Sequence, residues 1–193
     1  MTDISLNFEG PLTFMDGDNS VFHSPFAASP GIYLWTIKQR RDNNAHLIHY
    51  VGETASFANR HREHLIHILG LNYGIFCPDK AQEGVSELVW AGLWRDKTPN
   101  GPTRQIEAYQ RVHGDVIRYL SVLNIFFAEL KIDNQLRKHI EGCIGWNLRD
   151  NHPESKVLYP DDNHIGVLPN RNHGELLITS SEIIRGLDSR MPY

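Results

Sequence analysis

Two short β-rich runs and the helix behind them constrain this chain more than anything else in it. Gly31 to Lys38 and His46 to Gly52 are dense in β-branched and aromatic residues, which suits strands, and Asp42-Asn43-Asn44 between them is a turn signal. The two runs therefore form an antiparallel hairpin. Ser56 can cap a helix running from Phe57 to about Leu69, where Gly70 ends it. A hairpin feeding directly into a helix must lay that helix across one face of its own sheet.

The rest of the chain adds elements to this unit. Pro78 to Gly84 reads as loop, and Leu88 to Trp94 as a strand or a short buried helix. Thr103 to about Leu120 is helical in composition with Gly114 as its weak point. Asn124 to Leu130 is a strand, and a helix follows from about Asn134 to Leu148. Residues 1–30 hold short apolar pieces broken by Gly10-Pro11, Gly17, Pro25 and Pro30, read as short strands and loops packed on the main domain. Asn151 to Asn172 is a polar loop, Leu176 to Thr179 a last strand, and Ser180-Ser181-Glu182 a helix start. The order implies one α/β (α+β) domain: a small central mixed antiparallel sheet flanked by helices, with a core over 30–151 and extensions at 1–29 and 152–193.

Composition narrows the class. With 193 residues, of which 40% are apolar, the chain can bury one substantial core. It has no apolar run long enough to span a membrane and no leader-like N-terminus, so no membrane partner is expected. Cys77 and Cys143 are the only cysteines and lack CxxC spacing, which fits a reducing, cytoplasmic setting. The formal net charge is −4, whereas a nucleic-acid binder is more often basic overall. Basic residues are nonetheless grouped at Lys38 to Arg41 and at Arg60 to Arg62, and the field at a phosphate is set within a Debye length of ~8–10 Å.

Several residue types here can carry chemistry. Tyr33 and Tyr50 sit toward strand ends, where a phenol can donate to a phosphate oxygen or orient a water; the structural alternative is an edge aromatic with its ring in the core. Arg60 and His64 are four apart and share a helix face, a guanidinium fork for phosphate beside an imidazole that can position or exchange a proton. Arg62 points away from that face. His61, His64 and His67 spread around the helix and do not make a zinc motif. Glu141, flanked by Ile140, Cys143 and Ile144, can hold a hard cation or pair with Arg137 or Lys138 one turn back; Glu107 is a competing carboxylate.

Gly31-Ile32-Tyr33, Tyr50-Val51-Gly52, Phe57, Arg60 and His64 resemble the GIY-YIG nuclease family of homing endonucleases, restriction enzymes and an excision-repair subunit. The resemblance covers about Pro30 to Asn151. It implies a divalent-metal-dependent endonuclease acting on phosphodiester bonds in DNA. Tyr33, Tyr50, Arg60 and His64 would serve catalysis, and Glu141 would hold Mg²⁺ or Mn²⁺. A homodimer would cut both strands. The spacer between Tyr33 and Tyr50 is longer than the family usually has. The family's asparagine falls near Pro153 here, so Asn163 is taken for it, with Asn151 the alternative. A different class of reading is a catalytically inactive GIY-YIG-fold module that binds nucleic acid or protein.

Overall fold

The computed structural model describes residues 3–41, 45–95, 100–153, 156–159 and 173–193. The chain opens with β1 (Ile4–Leu12), then forms the expected hairpin from β2 (Gly31–Lys38) and β3 (His46–Thr54). Helix α1 (Phe57–Leu69) follows at once. A small two-stranded unit of β4 (Ile75–Phe76) and β5 (Leu88–Trp90) brackets the short α2 (Pro78–Gln82), where sequence had suggested loop. Then come α3 (Gly101–Val122), β6 (Leu123–Glu129) and α4 (Asn134–Asn151). The chain ends in β7 (Glu175–Ser180), β8 (Ile184–Arg185) and β9 (Arg190–Pro192).

The main sheet has seven strands among the described residues, in the order β8-β3-β2-β6-β1-β7-β9. It is mainly antiparallel, with parallel pairings of β1 with β7 and of β3 with β8. It is therefore larger than the small sheet expected, because both chain ends enter it. Leu6 and Phe8 of β1 are at most 1% exposed. Burying such side chains contributes roughly 1.5–3 kcal/mol each, so the N-terminal strand is structural. Gly10-Pro11 does not break β1, because the ladder with β6 shifts register between Glu9 and Leu12 and the parallel ladder with β7 ends at Phe8.

The expected C-terminal helix is absent. Its capping side chains are engaged elsewhere: Ser181 Oγ donates to the Gly10 carbonyl at 2.8 Å, and Glu182 takes His46 Nε2 at 3.1 Å and Lys38 at 3.6 Å. The segment runs on into β8 instead. Helix α3 passes Gly114 without interruption. Ser56 precedes α1 but makes no side-chain cap; Thr54 Oγ1 accepts from the Ser56 amide and donates to its carbonyl instead.

Alternation along the central strands builds two cores. Tyr33, Trp35, Ile37, Ile125 and Phe127 face α1 and α3, while Ile32, Leu34, Phe126 and Ala128 face α4 through Ile140, Cys143, Ile144 and Leu148. Register shifts where Trp35 pairs with Tyr50 but Thr36 pairs with Ile48, so His49 is an extra residue and His49 and Tyr50 both serve the α1 side.

Tyr33 lies directly across from Gly52. A Cβ on residue 52 would stand 2.3 Å from the Tyr33 ring and hydroxyl. Only glycine leaves room for that ring. Gly52→Ala is expected to cost at least about 2 kcal/mol by urea unfolding. Gly114→Ala, whose new Cβ meets nothing within 4 Å, should gain about 0.5–1 kcal/mol from helix propensity alone.

Candidate active site

Tyr33 is fully buried, and its hydroxyl meets His64 Nε2 at 2.7 Å. The Arg60 guanidinium bears on both phenols, opposing the rise that burial gives the Tyr33 and Tyr50 pKa values. His64 Nδ1 lies 3.1 Å from the Tyr73 hydroxyl, so the imidazole bridges Tyr33 and Tyr73.

His64 is 2% exposed, and burial, reinforced by the Arg60 charge, pulls its pKa down to about 2. Burial keeps its imidazole neutral, which disfavours proton exchange near neutral pH and favours the other role that the sequence allowed, positioning a neighbour. Tyr33 is likewise displaced from its expected place in a groove: burial, then Tyr50, raise its pKa well above 10. Tyr50 is half-buried and is the phenol that meets solvent. Burial and then the Glu141 charge raise its pKa too.

His61 belongs to the core. Trp35 Nε1 donates to its Nε2 at 3.1 Å, and its Nδ1 donates to the Phe57 carbonyl at 2.9 Å. Burial lowers its pKa to about 4. His49 repeats the arrangement, taking the Tyr119 hydroxyl at 2.6 Å and donating to the Leu158 carbonyl at 3.1 Å, with a pKa lowered by burial to about 4.

Glu141 comes from α4, which packs on the opposite face of the sheet. The two faces meet at the outer edge of β3, because β8 pairs only with His46 and Leu47 and leaves Tyr50 to Thr54, paired with β2 on one side, without a strand on the other among the described residues. There the Glu53 backbone N–H faces the Glu141 carboxylate, which also feels the charge of Arg60 and in turn disfavours ionisation of Tyr33 and Tyr50. Burial first, and the Glu53 carboxylate second, push the Glu141 pKa up to about 7. The ion pair expected with Arg137 is absent. Arg137 is buried and gives Nε to Glu53 Oε2 at 3.3 Å and an N–H to the Ile132 carbonyl. Among the described residues Glu141 has no salt bridge within 4.0 Å.

The other sequence candidates lie apart. Arg60 keeps one surface partner, Glu63, at 3.0 Å. Lys38 and Arg40 of the basic cluster are engaged by Glu182 and Asp79. Glu107 is exposed on α3. Asn151 donates to Asn147 at 2.6 Å, in a group that converges with His152 on Asp188. Asn163 lies outside the described residues. Sequence reasoning missed Tyr73 and Glu53. Glu53 directly follows the second motif and could have been flagged, whereas Tyr73 carries no local signal.

No protein-family model, curated protein or solved structure matches this chain. No described helix is long and apolar enough to cross a membrane.

The buried histidines set an acid limit. Their folded pKa values lie below the ordinary 6.5, so the unfolded chain binds protons first and stability falls as pH drops below about 6.5. His49, His61 and His64 together should give a loss of up to about 4 kcal/mol per pH unit between pH ~6 and ~4.5, read from urea midpoints. Glu141 has the opposite sign. Its raised pKa contributes stability below about pH 4.5 that is lost as pH rises through about 7. In metal-free buffer Glu141→Gln should therefore stabilise the protein by about 1–3 kcal/mol at pH ~8 and leave it nearly unchanged at pH ~4.

Proposed function

We propose that this chain is a divalent-metal-dependent endonuclease of the GIY-YIG type that hydrolyses phosphodiester bonds in DNA. The observation that carries this reading is Glu141. It is a half-buried carboxylate with no salt bridge among the described residues, brought round a sheet edge to Arg60 and Tyr50.

Among the described residues no group of three or more His, Cys, Asp or Glu could hold a metal ion, so the protein would offer a hard cation one direct ligand, Glu141. Glu141 is a carboxylate whose negative charge the protein itself leaves undercompensated, and Glu53 adds a second carboxylate to the local field. Glu141 would hold Mg²⁺ or Mn²⁺, with water and phosphate oxygens completing the shell. When bound, such an ion supplies Lewis-acid stabilisation of charge on the phosphate and the leaving oxygen.

The chain's own groups divide the remaining work. Arg60, with its side chain 40% exposed, offers its fork to the phosphate and neutralises charge that builds on it during attack. Phosphate competes there with Glu63, a surface pair of the kind worth less than about 1 kcal/mol. Tyr50 faces solvent beside Arg60 and orients the attacking water. Tyr33 and His64 act through others: they fix Arg60 and Tyr50 from below and exclude water from that side. One such site cuts one strand, so duplex cleavage calls for a homodimer or two successive nicks.

A second reading draws on the same burial. Tyr33, His61 and His64 have core roles that would keep the motif in an inactive nucleic-acid- or protein-binding module. Cleavage of supercoiled plasmid decides between the two. With Mg²⁺ or Mn²⁺ the parent should nick plasmid, and Glu141→Ala and Arg60→Ala should each lower the rate at least ~100-fold with an unchanged circular dichroism spectrum. If Glu141→Ala cuts as well as the parent, the metal assignment fails; if the parent binds plasmid and never nicks it, the module reading replaces this one.

A further inference from the structure

The hydrogen-bond chain that leaves the candidate site through His64 ends on Tyr73, and Tyr73 leads to an exposed indole. Tyr73 packs edge-on against Trp94, with ring centroids 5.1 Å apart and planes at 81°. His67 of α1 packs against Trp94 at 4.6 Å and against Tyr73 at 5.4 Å. Despite these two neighbours, Trp94 is 56% exposed. From Tyr50 the path to it runs over His64 and Tyr73 in ring-to-ring steps of 5.8, 5.8 and 5.1 Å, so it lies within a few nucleotides of Arg60.

The backbone that carries the indole is held in place, and the ring itself rests on Tyr73 and His67. The Leu93 amide donates to the Leu71 carbonyl at 3.0 Å and the Trp94 amide to the Asn72 carbonyl at 3.2 Å. Gly92, at φ +93°, presses this turn onto residues 72–74; a Cβ there would stand 2.8 Å from the Gly74 amide nitrogen and the Tyr73 carbonyl carbon. Asn72 is tied in turn to His67, with Nδ2 and Nδ1 3.1 Å apart. An indole that is fixed before any ligand arrives loses little entropy on binding one. A large exposed aromatic has no part in the core, and the fold has spent a positive-φ glycine and a set of backbone bonds to present it.

We propose that Trp94, backed by Tyr73 and His67, is a stacking platform for an unpaired nucleobase of the strand whose phosphate lies on Arg60. Every base has a π-face, so an aromatic platform beside a phosphate-binding arginine recognises single-stranded or locally opened nucleic acid without reading its sequence. This inference rests on the endonuclease reading and names its substrate class: DNA with an unpaired base close to the scissile phosphate. It also fits the charge of −4, because stacking lets a strand be held with few cations.

The test is fluorescence anisotropy of a labelled short oligothymidylate with the full chain in EDTA, where nothing is cut. Trp94→Ala should weaken binding by roughly 5- to 100-fold and Trp94→Phe by much less, both with the parent's thermal midpoint. A strand with abasic sites in place of its bases should bind the parent and Trp94→Ala equally weakly. A blunt duplex should bind the two proteins equally.

If the parent nicks plasmid and Trp94→Ala binds oligothymidylate as tightly as the parent, the platform is wrong and the endonuclease reading stands. If Trp94→Ala loses binding while Glu141→Ala nicks like the parent, the metal assignment fails and the platform stands. If Trp94→Ala weakens binding to the abasic strand by the same factor as binding to oligothymidylate, or if the parent does not bind oligothymidylate, the platform is overturned. So does unchanged binding together with a dimer-to-monomer change on sedimentation, which would make Trp94 a contact between copies.

Discussion

The ring of Tyr33 lies where a side chain at position 52 would have to be, and the site depends on that close approach. Because Gly52 has no Cβ, the phenol lies flat against β3 and carries its hydroxyl under α1. There it receives Arg60 and meets His64 at 2.7 Å. A side chain at residue 52 would lift the ring, and the lift would move the guanidinium and imidazole together. Strand pairing and helix docking are thus one constraint.

The second constraint is the open edge of β3. A full-length partner strand there would satisfy the backbone of Tyr50 to Thr54 and wall α4 off from the other face of the sheet. Instead β8 is two residues long, and the Glu53 amide is met by a side chain, Glu141. The edge therefore brings a carboxylate from one layer to an arginine and a tyrosine from the other. Burial and the neighbouring Glu53 make that carboxylate reluctant to ionise, with its pKa pushed up to about 7. A cation would relieve this.

The hairpin and α1 were legible because their residues obey one period each. Gly31 to Lys38 is rich in β-branched and aromatic residues, and Phe57 to Leu69 is followed by a glycine. The ends of the chain were not, for physical reasons. Gly10-Pro11 signals a break, but it falls in an irregular part of the β1 ladder that tolerates it. Ser181 and Glu182 look like helix capping residues, yet long-range partners at Gly10, Lys38 and His46 claim them.

In the site, the spacing placed Arg60 and His64 on one helix face, but sequence could not assign depth. His64 and Tyr33 are buried, and Tyr50 is the more exposed of the two motif tyrosines. Nor could sequence foresee that Arg137 would choose Glu53 over Glu141, since that choice is made across the sheet edge. The most direct measurement of the central claim is Mn²⁺-induced broadening of assigned backbone amides by NMR. The account predicts selective loss of the signals around Glu141, Glu53 and Tyr50 in the parent and no such loss in Glu141→Gln. Broadening centred elsewhere, or identical in the two proteins, would contradict it.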